Sequence, residues 1–443
     1  MSRALDELET LWSDSDLVAR CRRVAEALFS LSSGTQHSPT PTREFSACDT
    51  TPPLDGRKEI CGSSRVERIP FNRPYLVGKE LFYISQAVLS GKLSGDGEFT
   101  KRCHAFLERR YAAQKVLLTT SCTTALEIAA ILCRNEPGDE VIVPGFTFVS
   151  TANAFVTHGY KPVFVDIRED TLNMDERLLE AAITDRTRVI CPVHYAGVAC
   201  DMDPILKIAR SRGIAVVEDA AQGVEAKYKD RALGTIGDLG AYSFHDTKNF
   251  VCGEGGALLV NREDFVERTE IIREKGTNRT QFFRGEAAKY TWLDVGGSYL
   301  PSEVLSAFLL AQLEAIDQIQ ARRAAIFNRY TAGLKPLQDQ ALIRLPYVPP
   351  YASGNNHIFY VLTETPDVRD NLLVFLRERG ISAVFHYVPL HNSPAGLRWG
   401  RSSGTLKVVE RTAATLLRLP MFLEITDEQI DRVVSAVHEF FRR

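Results

Sequence analysis

Three short segments of the chain carry side chains that could act together in one chemical step. The first, IAVVEDAAQG, is an apolar strand that ends in Glu218 and Asp219. Ligands of open α/β sheets bind beyond the carboxyl ends of the strands, so Asp219 is a candidate partner for a bound cation. An aspartate at this point could also be a helix N-cap, and the segment alone slightly favours the N-cap.

The second segment, LLTTSCTTAL, places small hydroxyl residues where a strand turns into a helix. Free backbone N–H groups and the helix dipole make residues 119–124 a candidate phosphate site. Simple capping by Ser or Thr explains the segment at least as well when it is considered alone.

The third segment, AYSFHDTKNFVCGEGG, holds one lysine, Lys248, among small, aromatic and polar residues and before a glycine cluster. Lysine is rarely buried without a partner, and an exposed loop lysine is the commoner explanation. The segment lacks the GxxxxGK[ST] pattern of a P-loop, which excludes that kind of phosphate site.

Taken together, the three segments offer a phosphate site, a carboxylate and an amine at strand ends of one sheet. Pyridoxal phosphate (PLP) requires these parts: an anion site, an acidic partner for its ring nitrogen and a lysine for its aldehyde. The combination therefore indicates a PLP site more strongly than any one segment does.

The elements that would position these residues alternate between strand and helix. Short apolar runs followed by helical patterns predict a mostly parallel, seven-stranded sheet that is covered on both faces. The predicted strands are KVLLTT, DEVIVP, KPVFVDI, TRVICPV, IAVVEDAA, LGAYSFH and GGALLV. We expect them to form a large domain at residues 69–312.

The pattern changes after Leu313. A long charged helix is followed by two strand-like runs, HIFYVLT and SAVFHYV, and by a final helix. This predicts a smaller α+β domain at residues 313–443.

The opening 68 residues differ from the rest of the chain. Apolar residues at helical spacing predict a short helix at 4–32, and a Ser, Thr, Pro and Gly-rich linker at 33–64 is expected to be disordered and unnecessary for catalysis. One hypothesis is that the natural chain begins at Val66. The alternative is that residues 4–32 form an amphipathic helix that docks on the body or on a partner.

Composition narrows the class of protein. The formal net charge of -3 argues against nucleic-acid and membrane-surface partners. The nine cysteines are scattered without a CxxC pair, which argues against a zinc site or a disulfide framework and favours a reducing cytoplasm. The acidic N-terminus does not look like a signal peptide, and no apolar run is long enough to span a membrane.

From Ile69 to the C-terminus, the chain resembles the sugar-nucleotide aminotransferases, PLP enzymes with the aspartate-aminotransferase fold (fold type I). The motifs that carry the resemblance occur in order along the chain: IPFNRP, SGKLSGDGEFTKRC, KVLLTTSCTTALE, PGFTFVSTANAFV, PVHYAGVACDMD, VVEDAAQGV, ALGTIGDLGAYSFHDTKN, GEGGA, IIREKGTNRTQFFRG, KYTWLDVGGSYL and AVFHYVPLH. The first 68 residues lie outside it.

The resemblance implies a role for each residue that would hold the cofactor. The implied set is Cys122, Thr123 and Ser243 at the phosphate, Phe148 on the ring face, Gln222 at the phenolic oxygen, Asp219 at the ring nitrogen and Lys248 at the aldehyde. Asp219 would keep the ring nitrogen protonated, since an adjacent opposite charge shifts a pKa by roughly 1–3 units. Lys248, once displaced by the amino donor, would become the base that moves a proton.

The resemblance also implies the substrates and the assembly. L-glutamate would give its amino group, through PLP, to the 4-keto carbon of a dTDP-linked 4-keto-6-deoxyhexose, and the product would serve surface polysaccharides. A homodimer or a higher homo-oligomer is expected, with KGTNRTQFFRG as the segment that reaches across.

Seven further residues are weaker candidates for substrate contacts: His194, Tyr195, Lys275, Arg279, Arg284, His386 and His391. For His194 and Tyr195, packing in the core explains the residues as well as a substrate contact does. For His386 and His391, a loop histidine with an ordinary hydrogen-bond partner is an equally good explanation. The three basic residues could bind a diphosphate or a carboxylate, or could belong to a solvated loop.

Three other functions compete with this interpretation. An aminotransferase for another keto-sugar nucleotide, 3-keto or UDP-linked, is the nearest. A sugar dehydratase of the same fold carries histidine in place of the lysine, so Lys248 argues against it. A non-catalytic binding or regulatory module is disfavoured by the complete set of cofactor residues.

Overall fold

The computed structural model describes residues 67–133 and 136–443, and residues 68–443 form one compact unit. The predicted helix at 4–32, the predicted linker at 33–64 and the hypothesis about Val66 lie outside the described residues. The division into domains at residues 312 and 313 stays a prediction.

Helices cover much of the described chain. They are α1 (Glu80–Leu89), α2 (Glu98–Tyr111), α3 (Cys122–Leu132), α4 (Val149–Val156), α5 (Leu179–Ala182), α6 (Met202–Arg212), α7 (Glu263–Arg273), α8 (Arg279–Phe283), α9 (Glu303–Glu314), α10 (Ile316–Asp339), α11 (Pro366–Glu378), α12 (Pro394–Trp399), α13 (Lys407–Thr415) and α14 (Asp427–Phe441), with short 3₁₀ turns at Glu176–Leu178 and Tyr195–Gly197.

Strands lie between many of these helices. They are β1 (Lys115–Thr119), β2 (Glu140–Pro144), β3 (Lys161–Val165), β4 (Thr187–Ile190), β5 (Ala215–Asp219), β6 (Lys227–Tyr228), β7 (Arg231–Ala232), β8 (Leu239–Ser243), β9 (Gly256–Val260), β10 (Ile343–Arg344), β11 (Ala352–Ser353), β12 (Phe359–Thr363), β13 (Arg401–Ser402) and β14 (Leu416–Leu419).

Local sequence explains where several helices begin. At α3, the Ser121 side chain accepts from the Thr124 N–H, and Thr124 in turn accepts from the Ser121 N–H, which is a capping box. At α11, Thr365 caps the helix and Pro366 occupies its first turn, where the missing N–H costs nothing. Such caps satisfy N–H groups that have no partner within the helix.

The main sheet is mixed but mostly parallel. Its strand order is β1-β9-β8-β5-β4-β2-β3-β13, and only β9 runs antiparallel to its neighbours. The predicted fold class is confirmed, and all seven predicted strands of the sheet occur. The eighth, β13, is a two-residue strand from the C-terminal part of the chain that pairs with β3.

The strand register brings the predicted segments to one edge of this sheet. Thr119 and Ser243, the last residues of β1 and β8, both lie opposite Gly256, the first residue of β9. Asp219, the last residue of β5, pairs with Ala241 of β8. Carboxyl ends of parallel strands meet at the same edge, so these residues surround a common space.

Two hydrophobic cores support the unit. One surrounds the main sheet and includes buried residues of α3 and β8 such as Leu126 and Leu239. The other is formed by α10, α11, α14 and the three-stranded sheet β10-β12-β14. Ile69, the first residue of the predicted large domain, packs in this second core and bridges Ile381.

One predicted strand is wrong. SAVFHYV forms no strand, and Val384 makes only an isolated bridge with Arg418. The reason is tertiary, because the chain beyond it turns towards the main sheet, where the Leu390 N–H donates to the Gly145 carbonyl. In the described ranges, no helix is long and apolar enough to cross a bilayer.

Candidate active site

Asp219 is the buried carboxylate of the site, with 5% of its surface exposed. Its Oδ2 accepts from the Thr151 hydroxyl at 2.6 Å, and its Oδ1 accepts from the Ala221 N–H at 3.1 Å. A carboxylate has about four acceptor positions, so each oxygen can still accept from a ligand.

Lys248 lies in the irregular segment that follows β8, where its backbone N–H donates to the His245 carbonyl. The side chain is half-buried, and among the described residues its Nζ has no hydrogen-bond partner. Burial lowers the pKa of Lys248; the nearby Cys122 and Asp219 oppose this shift, and Arg418 adds to it. A lowered pKa leaves more of the amine neutral, the form that attacks a carbonyl.

The start of α3 offers an anion site. The Cys122 and Thr123 N–H groups lie in its first turn and donate to no acceptor in the described part of the chain. The Thr123 hydroxyl reaches Ser150 Oγ at 2.9 Å, and Ser243 lies across Gly256. Burial raises the pKa of the Cys122 thiol, so Cys122 offers its neutral form and its backbone N–H rather than a thiolate.

Gly256 makes the approach between β9 and α3 possible. A Cβ atom built there would lie 2.4 Å from the Cys122 nitrogen and 2.4 Å from the Ser121 carbonyl carbon. No side chain fits in that space, so the last glycine of the segment that holds Lys248 is required by this close backbone contact.

Gln222 links three parts of the site. Its Oε1 accepts from the Ala196 N–H at 2.7 Å, and its Nε2 donates to the Tyr387 hydroxyl at 3.0 Å. The second Nε2 hydrogen remains for a ligand oxygen.

Phe148 precedes α4, and its ring centroid lies 6.1 Å from that of Tyr387. The side chain of Phe148 is 56% exposed, so its ring face is open to a ligand.

The C-terminal part of the chain supplies the opposite wall. His386 Nδ1 and the Tyr195 hydroxyl share a hydrogen bond at 3.0 Å. Burial, Arg418 and Lys248 together hold the pKa of His386 well below its ordinary value, so the ring is neutral. The pKa of the buried His357 is lowered in the same way, by burial first and then by Lys248. Arg418, a permanent cation, thus acts on both histidines of this wall.

Other predicted residues have partners elsewhere. His194 is fully buried, and its Nε2 contacts Glu218 Oε2 at 2.9 Å while its Nδ1 accepts from the Cys200 N–H. His391 Nε2 contacts Glu410 Oε1 at 3.2 Å. Both ring nitrogens of His194 are bonded to protein groups. Its predicted contact with a sugar stays a prediction, because neither ring nitrogen is left for a ligand.

The basic segment after α7 is paired with acids of the same chain. Lys275 and Arg279 both reach Glu274 Oε1 at 3.1 Å, and Arg284 makes a bidentate pair with Glu270. About half of each basic side chain is nevertheless exposed, so the predicted role of the segment in binding anions or a second subunit stays open to experiment.

Sequence reasoning missed three residues that the structure places at the site: Thr151, Tyr387 and Arg418. Thr151 and Tyr387 lie within the quoted motifs PGFTFVSTANAFV and AVFHYVPLH, but nothing in their spacing indicates that they reach Asp219 and Gln222. Arg418 lies in β14, far along the chain from the other residues.

The residues present fit PLP. A buried carboxylate with open acceptor positions, a lysine of lowered pKa and unpaired N–H groups at a helix start match the ring nitrogen, the aldehyde and the phosphate. When bound, PLP supplies an aldehyde for the amine and a ring that accepts electrons. The fold and these residues define a PLP-dependent aminotransferase.

Comparison with known proteins gives the family. Residues 75–438 match the model of the DegT/DnrJ/EryC1/StrS aminotransferase family. The chain belongs to this family, whose members are PLP-dependent sugar aminotransferases.

Individual relatives show the range within the family. The chain is 34% identical over 348 residues to a pleiotropic regulatory protein of Geobacillus stearothermophilus, covering 78% of this chain and 90% of the relative. It is 32% identical over 383 residues to GDP-perosamine synthase of Caulobacter vibrioides, and the match covers 85% of this chain and 99% of the relative. The structure of Spr1654 of Streptococcus pneumoniae, solved in a PLP form, superimposes on this chain with a TM-score of 0.78 at 26% identity. The match covers 85% of this chain and 99% of Spr1654.

Proposed function

We propose that the protein transfers an amino group from L-glutamate to the 4-keto carbon of dTDP-4-dehydro-6-deoxy-D-glucose, giving dTDP-4-amino-4,6-dideoxy-D-galactose. The observation that carries the amino transfer is Lys248, whose pKa is lowered by burial, within the field of the buried Asp219. The resemblance of the motifs to dTDP-4-amino-4,6-dideoxygalactose transaminase supports the choice of sugar nucleotide.

In this proposal, each residue acts at a stated atom. Lys248 Nζ would hold the cofactor at its aldehyde carbon; when the amino group of glutamate takes the place of Nζ there, the freed amine would move the proton that leaves the α-carbon of glutamate. Asp219 pairs with the protonated ring nitrogen, and Gln222 Nε2 donates to the phenolic oxygen. The Cys122 and Thr123 N–H groups and the Ser243 hydroxyl hold the phosphate.

The charge of the site agrees with anionic substrates. Arg418 helps to lower the pKa of both His357 and His386, so a permanent cation lies close to this part of the site. Glutamate carries two carboxylates, and the sugar acceptor carries a diphosphate, so both substrates gain from the field of such a cation.

We also propose that the protein works as a homodimer or a higher homo-oligomer. Large apolar side chains are exposed together at the end of α8 and just after it: Phe283, Tyr290 and Trp292 are 70%, 55% and 78% exposed, and the Phe282 ring contacts the rings of Phe283 and Tyr290. Exposed apolar residues of this size are typical of surfaces that a partner covers. We expect the reaction in the cytoplasm, since Cys103, Cys122, Cys133, Cys191, Cys200 and Cys252 are free thiols.

The test is an assay of the purified protein with L-glutamate and a panel of acceptors, with each product identified by NMR. The panel holds 4-keto sugars linked to dTDP, UDP and GDP, together with a dTDP-linked 3-keto sugar. The proposal expects the highest kcat/KM with the dTDP-linked 4-keto sugar and an axial amino group at C4, the galactose configuration. Preference for the GDP-linked sugar would instead favour a function like that of the Caulobacter relative.

A further inference from the structure

A pair of buried threonines lies behind Asp219. Thr151 and Thr147 are 1% and 2% exposed, and their hydroxyl oxygens are 2.8 Å apart. Thr151 Oγ1 is also 2.6 Å from Asp219 Oδ2, within the range of a hydrogen bond between a hydroxyl and a carboxylate. The three side chains therefore form a short chain of hydrogen bonds that ends on the carboxylate.

The direction of these hydrogen bonds is fixed. An ionised carboxylate only accepts, so the single hydroxyl proton of Thr151 is donated to Asp219. Thr151 has no second proton for Thr147, so Thr147 must donate to Thr151. The dipoles of both hydroxyl groups consequently point towards Asp219, and each bond strengthens the next.

The position of Thr151 adds a second consequence. Its backbone N–H donates to the Phe148 carbonyl at 3.2 Å, in the turn that begins α4. The turn that presents the exposed ring of Phe148 is thus tied to the carboxylate of Asp219. A shift of this turn would move both contacts together.

We propose that Thr151 is a positioning residue: its hydroxyl sets the rotation of the Asp219 carboxylate and favours its charged form, so that a proton shared with a ring nitrogen stays on that nitrogen. The inference rests on the proposed role of Asp219. Thr151 would thereby control how strongly the bound cofactor can accept electrons. Thr147 would act in the same direction through its hydrogen bond to Thr151.

The test uses PLP labelled with ¹⁵N at the ring nitrogen and bound to the full-length protein. Thr151→Val removes the hydroxyl at nearly constant volume, and Thr151→Ser keeps it. We expect the ¹⁵N resonance of the valine variant to move towards that of unprotonated pyridine and its Kd for PLP to rise roughly tenfold, the value of a lost hydrogen bond to a charged group. The serine variant should keep the wild-type resonance and affinity.

Two further variants separate the possible outcomes. Asp219→Ala should move the resonance by more than Thr151→Val, and an unchanged resonance in this variant would refute the role of Asp219 itself. If Thr151→Val does not fold, as judged by circular dichroism, Thr147→Val tests the same chain and should give a smaller shift of the same sign. A wild-type resonance and Kd in the folded valine variants, with a clear shift in Asp219→Ala, would overturn the inference about Thr151 alone.

Discussion

The Tyr387 hydroxyl accepts a hydrogen bond from Gln222 Nε2 at 3.0 Å, although the two residues are 165 positions apart in the chain. Gln222 follows β5, and Tyr387 belongs to the segment that leads from α11 to α12. Through this contact, the C-terminal part of the chain fixes the amide that is proposed to face the cofactor. The orientation of Gln222 should therefore depend on Tyr387.

Tyr387→Phe should weaken cofactor binding without unfolding the protein. The variant removes one acceptor, worth about 0.5–1.5 kcal/mol, so the Kd for PLP should rise roughly two- to tenfold. Cofactor titration of the apoprotein measures this change. Tyr347→Phe, at an exposed position, is the matched control and should behave as wild type. Equal affinity in both variants would show that the contact does not hold Gln222 in place.

Gly256→Ala should distort the anion site. The new methyl group would lie 2.4 Å from the Cys122 nitrogen, so β9 or the first turn of α3 must move. Overpacking of this kind costs about 1–3 kcal/mol, and the displaced N–H groups should also bind phosphate less well. Urea unfolding and PLP titration measure the two effects. Gly354→Ala is the control, because its nearest atom would be at an ordinary 3.6 Å. A Gly256→Ala protein with unchanged stability would contradict the packing described here.

His104 should make the protein sensitive to acid. Its Nε2 accepts from the Leu118 N–H at 2.8 Å, and desolvation together with Arg273 lowers the pKa of His104 to about 3. The unfolded chain binds this proton near pH 6.5, so the stability from the neutral ring is complete above pH 6.5 and is lost as pH falls towards 3.

His104→Gln should therefore flatten the loss of unfolding free energy between pH 7 and pH 4.5, measured by urea unfolding at each pH. His438→Gln controls for the removal of a histidine as such. If wild type and His104→Gln lose the same unfolding free energy over this range, the ring is not held neutral as described.

Much of the large sheet could be predicted from the sequence because its strands are short apolar runs bounded by helices. The carboxyl-end rule then placed Asp219 and Lys248 near one another without coordinates. The two-residue strand Arg401–Ser402 could not be predicted, because its pairing with β3 depends on contacts between distant parts of the chain. The failed strand SAVFHYV has the right composition, but Tyr387 and Leu390 are drawn to Gln222 and Gly145 instead.

The same limit applies to the site. Thr151 and Asp219 are 68 positions apart, and their contact follows from the order of the strands, which local pattern does not reveal. For Arg284, the sequence showed a basic segment but not that Glu270, one helix earlier, would pair with it. The residue types therefore indicated the chemistry of the site. The contacts between residues that are distant in the sequence could be identified only from the structure.

The central claim is that Lys248 is the residue that binds the cofactor covalently. The most direct test is to load the protein with PLP, fix the bond with borohydride and locate the phosphopyridoxyl group by mass spectrometry of peptides. Lys248→Arg serves as the control that keeps a cation at this position. The account predicts the label on the peptide that contains Lys248 in the wild-type protein and no label in the variant. A label on another lysine, or a Lys248→Arg protein that keeps both label and turnover, would contradict it.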